Sequence, residues 1–396
     1  MPPRVLFVVT GSYGDLSLAI GFVYGQDWAD RAAVALPGPL FQANHGRLPL
    51  RVYRYASVED ILDVAAAWDA QIVIFLSAYG LPIERLASPA GVRQLVRRLR
   101  DQRRRVATTD PFLGSASTIA ETEIRAMLPP SPWLRLKALL GGTARRVAQV
   151  LHDTAAVLGD VTHLYPTPVD GVVDPTRVRA VSFFNPETTR RHPEWELADA
   201  SHTAADSPRT WLFVLAPNDV FIQQRRWGTR QFVGRLVGMF RQTHLAGKRP
   251  VIVAPAPLMK LLARPRRDAF EAELVRFSSY PEFAARLLAA EYAFYWNAFS
   301  CSALMVRTAK RLPVFFFDQG HVAQFSRHIY ADGLRAYYGG REPPTLPFDA
   351  LDPGTLATRA AEQATGVQRL LDYWGRSPPP WRVLELLLDA GPSSAS

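Results

Sequence analysis

Residues 291–320 read EYAFYWNAFSCSALMVRTAKRLPVFFFDQG, and the pattern is strand, small-residue turn, helix, strand. Residues 291–296 form a short aromatic and apolar run, too brief for a helix and closed by Asn297. Asn297-Ala298-Phe299-Ser300 supplies a turn, and Ser300 or Ser302 can accept from the first unpaired amides of a helix over 302–310. Pro313 stops that helix, Val314–Phe317 is a second buried strand, and Asp318-Gln319-Gly320 closes it with polar groups and a turn. Two parallel strands joined in this way put a helix N-terminus at the carboxyl edge of a sheet. Unpaired amides and the positive end of the helix dipole gather there, and both favour an anion such as a phosphate.

The 396-residue length favours two domains over one. With 48% hydrophobic and 21% charged residues, the chain can bury sizeable cores, which argues against global disorder. A single cysteine, Cys301, excludes an intramolecular disulfide and a cysteine-built metal site, and fits a reducing cytoplasm. The formal net charge of +10 favours anionic partners: nucleotide diphosphates, membrane surfaces or nucleic acid. Arginine supplies nearly all of it, and richness in Arg, Ala and Pro reflects genome composition equally well. The amino terminus enters a strand at Arg4 without a signal-peptide pattern. No uninterrupted apolar run approaches the roughly 18–20 residues of a transmembrane helix. A cytoplasmic protein is expected, with peripheral contact at the inner membrane face as an added expectation.

The first half alternates short strands and helices. Val5–Val9 (VLFVV) is continuously apolar, the mark of a strand covered on both faces. Thr10-Gly11-Ser12-Tyr13-Gly14-Asp15 follows, then an apolar helix over 16–28. A glycine-bearing turn between a first strand and helix lets another molecule approach the backbone, although the glycines serve a tight turn equally well. The dinucleotide fingerprint G-x-G-x-x-G is not supplied by Gly11 and Gly14, which disfavours NAD. Strands are predicted at 32–36, 50–53, 71–76 and 105–108, and helices over 58–68 and 89–100, the first with capping-box spacing between Ser57 and Asp60. Residues 117–159 read as largely helical, with breaks at 129–132 and at Gly141-Gly142. Within them, 133–140 (WLRLKALL) fits packing against a sheet or an interfacial membrane helix. Strands over 161–165 and 178–184 end this half, and the succession predicts a parallel sheet with helices on both sides.

Residues 185–208 are polar, proline-bearing and without a sustained period, so the boundary falls there. The expected division is a first domain over 1–185, a linker over 186–208, a second domain over 209–375, and a terminal helix with a disordered tail over 376–396. The second half repeats the logic with strands at 210–215, 250–254, 274–277, 291–296 and 314–317. Its helices cover 229–243, 258–262, 282–290 and 322–331, with a loop at 216–219. Residues 341–353 are proline-rich and irregular, helices cover 354–373 and 381–388, and 391–396 read as disordered. The halves are alike in layout and not in sequence. The fold class is therefore α/β: two Rossmann-like domains facing across a cleft, with C-terminal helices closing the structure.

This layout resembles that of glycosyltransferases of the GT-B fold. The specific likeness lies over 274–320. There Tyr280-Pro281-Glu282-Phe283 heads a helix ending in an alanine-rich turn. A strand, the turn Asn297-Ala298-Phe299-Ser300-Cys301-Ser302, a helix and Leu312-Pro313-Val314 follow. This is similar to the donor half of those enzymes. The resemblance implies metal-independent transfer of a sugar from a nucleotide-sugar donor to a small-molecule, lipid-linked or protein acceptor. Many such enzymes carry a glutamate for the donor ribose on the helix after the small-residue turn. Here that part reads Leu304-Met305-Val306-Arg307. Either the ribose is held elsewhere, Asp318 being near in sequence, or the donor is unusual, or donor binding is lost. A UDP-sugar 2-epimerase shares the architecture, but no acidic and histidine set clearly supports it.

Sugar transfer needs a cation or dipole for the leaving diphosphate, a base for the acceptor proton if the reaction inverts, and a cleft that excludes water. For the first, the candidates are the amides and hydroxyls of Ser300, Cys301 and Ser302, aided by Arg225 or Arg226, whose planar fork suits a diphosphate. The serines serve as helix caps equally well, and the arginines as surface charges. Tyr280 and Pro281 lie where GT-B enzymes stack or clamp the nucleotide base, and a local hydrophobic anchor is the other reading of them. Gly14, Asn218 and Asn297, in turns after strands, join the donor-binding set. Asp318, Gln319 and His321 follow the strand Val314–Phe317, where His321 could contact the transferring sugar. Asp15, after the first glycine turn, is the leading base, though it serves as a helix N-cap equally well, and Asp110, after the strand over 105–108, is the runner-up or an acceptor-binding group. No His/Asp/Glu cluster has metal spacing and the fold requires none, so neither metal nor cofactor is expected beyond the nucleotide-sugar co-substrate. A G-x-S-x-G elbow and a P-loop are both absent. Two other readings stand beside this one. The missing glutamate motivates a non-catalytic binding protein on the same scaffold. Nucleic-acid binding rests on charge alone and lacks an arginine stripe interleaved with exposed aromatics.

Overall fold

Strand runs with no polar face dictate the layering. VLFVV at Val5–Val9 (β1) and AAVALP at Ala32–Pro37 (β2) offer nothing to water on either side, so both must be covered. With Arg51–Tyr55 (β3), Ile72–Leu76 (β4), Arg105–Thr109 (β5), Thr162–Tyr165 (β6) and Val178–Ala180 (β7), they form a seven-stranded parallel sheet. The computed structural model describes residues 3–11, 13–23, 30–48, 50–127, 143–165, 167–168, 178–180, 184–187, 209–263, 272–276, 279–308, 310–317, 327–343, 345–347 and 351–389. The second sheet takes Thr210–Val214 (β8), Arg249–Val253 (β9), Glu273–Val275 (β10), Tyr292–Tyr295 (β11), Val314–Phe317 (β12) and Thr345–Leu346 (β13), again all parallel. The strand orders are β3-β2-β1-β4-β5-β6-β7 and β10-β9-β8-β11-β12-β13. Both are doubly wound from their own first strand. The order reverses between β1 and β4 in one sheet and between β8 and β11 in the other. Sheets of this kind bind ligands in the crevice outside the carboxyl ends at that switch point.

The helix Tyr13–Val23 reads YGDLSLAIGFV, and every residue from Leu16 to Val23 is buried. A helix without a polar stripe has to be covered all round. The first sheet covers one side of it. The second half covers another: Ser17 Oγ lies 3.9 Å from Met305 Sδ, and the Tyr13 and Phe283 ring centroids are 6.1 Å apart. One apolar interior therefore runs from β1 and β4 through this helix into the helix Tyr280–Ala289. Beside it, the Tyr280 amide donates to buried Asn44 Oδ1 at 2.7 Å, and Arg47 pairs with Glu282 at 2.7 Å on the surface. The helices Pro353–Trp374 and Pro380–Asp389 return to the first half, the second packing on Tyr13–Val23. Asn185 Nδ2 donates to Ser377 O at 3.0 Å, and Tyr373 OH to Pro168 O at 3.1 Å.

The structure departs from the sequence reading at several points. Residues 216–219 are not a loop. Pro217 opens the helix Pro217–Trp227, and the Asp219 carboxylate accepts from the Ala216 amide at 2.8 Å to start it. The stretch read as irregular contains β13, because Thr345-Leu346 falls into register with Phe316-Phe317. The helix expected over 302–310 is a π-helix over Ala303–Thr308. Most of the expected linker (188–208), the segment 133–140 and the tail 391–396 lie outside the described residues. No helix among the described residues is long and apolar enough to cross a membrane.

Arg307, in the π-helix, is fully buried without a carboxylate partner. Its Nε and Nη2 both donate to Pro313 O, at 2.8 and 2.6 Å. Nη1 donates to Leu287 O at 2.6 Å and Ala290 O at 2.8 Å, and Nη2 to Glu291 O at 2.9 Å. Burial brings its pKa down to about 9, so the group still carries its charge at neutral pH. Arg307→Met would remove the guanidinium donors from four carbonyls, leaving Pro313 O only the Ala293 amide at 3.5 Å, and a loss of about 3 kcal/mol is expected from the urea midpoint. Arg307→Lys should recover only part of it, since one ammonium cannot reproduce the planar fork.

Candidate functional site

On the first half, Thr10 Oγ1 ties together the exits of β1 and β4 by donating to Leu76 O at 2.9 Å or Ser77 O at 3.0 Å. The backbones crowd here: a Cβ on Gly80 would lie 2.5 Å from Thr10 Oγ1. Asp15 stands half-buried in the first turn of the helix Tyr13–Val23, directly above this switch point. Tyr55 donates to Val9 O at 2.8 Å, and burial above all, then the charges of Asp15 and Glu84, push its hydroxyl above the usual range.

Asp110 follows β5 and is 2% exposed, which leaves no room for an acceptor group at the carboxylate. Its oxygens accept from the Phe112 amide at 2.8 Å, the Gly114 amide at 2.7 Å and Tyr165 OH at 3.2 Å. Burial raises its pKa against these bonds and the nearby His163. The carboxylate shapes its own loop, where Gly114 sits at φ 87°. Of its two expected roles, direct proton abstraction does not fit this position. Next to it, His163 Nδ1 lies 2.8 Å from Val161 O, a group that only accepts, so Nδ1 carries the proton. Nε2 then accepts from Tyr79 OH at 3.1 Å.

On the second half, the turn after β11 is held by Asn297, whose Oδ1 accepts from the Phe299 amide at 2.9 Å and whose carbonyl accepts from the Ser300 amide at 3.2 Å. Ser300 Oγ and Ser302 Oγ are 3.1 Å apart, and Tyr295 OH is 3.2 Å from Ser302 Oγ. The three hydroxyls form a chain at the front of the π-helix. The helix Arg327–Tyr338 packs against the turn. Tyr338 OH donates to Ala298 O, and the Phe299 ring stacks on Tyr337 with centroids 5.4 Å apart. Gly333 gives the ring its space, since a Cβ there would lie 2.5 Å from Phe299 Cζ.

The two sides meet electrically. Burial pushes the Cys301 thiol up to about 12, and the charge of Asp15 across the gap adds to the shift. The Tyr337 hydroxyl stands well above its usual range, through burial first and then through Cys301, Asp110 and Asp15. Tyr337 is thus the side chain on which both carboxylate candidates and the turn converge. Its sequence context, RHIYADGLRAYY, gives no signal beyond an aromatic-rich helix.

The remaining expected residues are placed as follows. Gly14 lies in the first turn beside Asp15, its carbonyl accepting from Ser17 Oγ at 2.7 Å. Asn218 is exposed in the first turn of the helix after β8. Tyr280 is 1% exposed, its ring inside the interior shared by the halves, which leaves no face for a nucleotide base to stack on. Arg225 and Arg226 are exposed in the last turn of Pro217–Trp227, with Arg226 lying 4.9 Å from the Trp227 ring centroid. Asp318, Gln319 and His321 lie outside the described residues. Among the described residues, no three His, Cys, Asp or Glu side chains come together as a metal site would need.

No protein-family model matches the chain, and no curated protein matches it in sequence. Solved structures do match in fold. UGT2 of Phytolacca americana, determined with UDP-2-fluoro-glucose and pterostilbene, superposes with a TM-score of 0.52 at 12% identity, over 98% of this chain and 99% of that one. CalG4, the calicheamicin glycosyltransferase, gives 0.50 at 13% identity, over 99% and 100%. The UDP-GlcNAc 2-epimerase of Methanocaldococcus jannaschii gives 0.48 at 10% identity, over 97% and 99%. The chain has the two-domain GT-B fold of the first two.

Asp110→Asn tests the structural account of that residue. An amide nitrogen would face one of two backbone N–H groups, and a loss of about 1–3 kcal/mol in urea unfolding is expected. Unchanged stability would show that the loop does not depend on the carboxylate.

Proposed function

We propose that this protein is a glycosyltransferase that moves a sugar from a nucleotide-sugar donor to a hydroxyl-bearing acceptor, without a metal, as its fold family implies. The donor diphosphate lies at the β8/β11 switch point, against the amides and hydroxyls of Ser300 and Ser302. The acceptor lies at the β1/β4 switch point. Asp15 takes the acceptor proton as the acceptor oxygen attacks the anomeric carbon. The bond from that carbon to the diphosphate breaks, and the departing charge falls on the turn. The observation that carries this reading is the approach of the helix after β1 to the π-helix after β11, where Ser17 Oγ lies 3.9 Å from Met305 Sδ, and the charge of Asp15 adds to the raised pKa of Cys301 beside it. A nucleotide sugar and an acceptor bound together in the similarly folded UGT2 give it further support.

One observation favours a second reading, a binding protein that has lost transfer. The part of the helix where the resemblance calls for a ribose-binding glutamate, Leu304-Met305-Val306-Arg307, holds no acidic residue, and the donors of Arg307 are engaged by backbone carbonyls. A thermal-shift series with UDP-, dTDP- and GDP-glucose separates the two. Stabilisation by one of them is expected, about 2.7 kcal/mol at a hundredfold excess over Kd. Stabilisation by none would remove the glycosyltransferase reading. With the active donor identified, Asp15→Asn should lower kcat by about 10²–10⁴-fold while leaving donor affinity in place. Full turnover in that variant would remove Asp15 as the base.

A further inference from the structure

A cavity of about 560 Å³ opens between the amino end of β12 and the helix Pro353–Trp374. This is the end of the strand away from the switch point. Gln363, Val367 and Leu370 recur at i, i+4 and i+7, so one helix face forms a wall. Leu312, Val314 and Phe316 form the wall opposite, and the lining is mainly apolar.

Two features make it more than a packing gap. The first is Gln363. Its Oε1 accepts from the Val314 amide at 3.1 Å, which fixes the orientation of the side-chain amide. Its Nε2 is buried without a partner. A buried amide NH₂ left unsatisfied is costly, and it asks for an acceptor that none of the described residues provides. The second is charge. Arg311, Arg341 and Arg369, all exposed, border the same cavity. Of the two glutamates there, Glu342 and Glu362, the latter is already paired with Arg359 at 3.2 Å. The balance at the cavity is therefore positive.

We propose that this cavity binds a small amphipathic carboxylate: an aliphatic body between the two apolar walls, and an anionic head that accepts from Gln363 Nε2 and pairs with the bordering arginines. Pockets of this size with apolar walls and a few convergent polar groups are the usual form of small-molecule sites. The site is distinct from the sugar-transfer cleft and touches it at two places. Tyr338 borders the cavity while its hydroxyl bonds Ala298 in the turn, and Pro313 borders it while its carbonyl holds Arg307.

Isothermal titration of the full chain with decanoate, and with decanol as the neutral analogue of equal length, tests the assignment. One decanoate per chain is expected, bound at least about tenfold more tightly than decanol, the ratio a single charge-assisted hydrogen bond provides. Gln363→Glu keeps the acceptor for the Val314 amide and replaces the NH₂ by a second oxygen. It should weaken decanoate at least about tenfold and leave decanol nearly unchanged. Val367→Trp, which fills the cavity, should abolish binding of both. Absence of decanoate binding, decanol binding as tightly as decanoate, or wild-type decanoate affinity in Gln363→Glu overturns the proposal.

Discussion

The second half is arranged around a buried positive charge that has no negative partner among the described residues. A guanidinium taken out of water is tolerated only where its N–H groups all find acceptors. Arg307 finds them on four carbonyls: two at the end of the helix Tyr280–Ala289, one at the entry to β11 and one at the entry to β12. Burying the ion therefore gives little net stability while demanding one geometry. The carbonyls of Leu287, Ala290 and Glu291, at the end of one helix and the start of β11, and that of Pro313 at the entry to β12, must turn toward a single point. The π-helix is the local form this takes, and it sets where the turn Asn297–Ser302 stands relative to the sheet.

That geometry bears directly on chemistry. The stretch in which the resemblance would place an acidic residue, Leu304 to Arg307, is buried here and holds none. A ribose contact, where one is made, comes from another residue. The front of the π-helix carries hydroxyls in place of a charged ligand group: Tyr295, Ser302 and Ser300 in sequence, each able to donate or accept. Such a chain can reorient toward an incoming phosphate without moving any heavy atom far. A fixed carboxylate could not.

The parts of this architecture that a sequence displays are those governed by local period. Continuous apolar runs placed most of the strands within a residue or two. The Ser57/Asp60 spacing formed its capping box in both directions, with Asp60 N to Ser57 Oγ at 3.1 Å and Ser57 N to Asp60 Oδ2 at 3.0 Å. The all-round apolarity of residues 16–23 showed that this helix is buried, but not that the second half would bury it. What period cannot show is which neighbour a side chain meets. Tyr280 reads as a base clamp or a hydrophobic anchor alike, and only Asn44, 236 residues earlier in the chain, shows its amide drawn into the interior. Arg307 reads as an ordinary helix arginine, because its four acceptors are backbone atoms that any sequence would supply. Tyr337 gave no signal because its significance is wholly positional.

The groups gathered between the halves also order themselves by burial. Tyr55, Tyr337 and Tyr338 all have hydroxyls held above their usual range, and the Cys301 thiol is pushed up to about 12. At neutral pH these four are proton donors, and their desolvation keeps them so. Asp110 has its lone pairs taken up by two amides and a tyrosine. Asp15 sits in the first turn of its helix, where the dipole favours a carboxylate, and it is half-exposed. The arrangement that makes the tyrosines poor bases is the same low-dielectric setting in which the charge of Asp15 is felt as far as Cys301 and Tyr337.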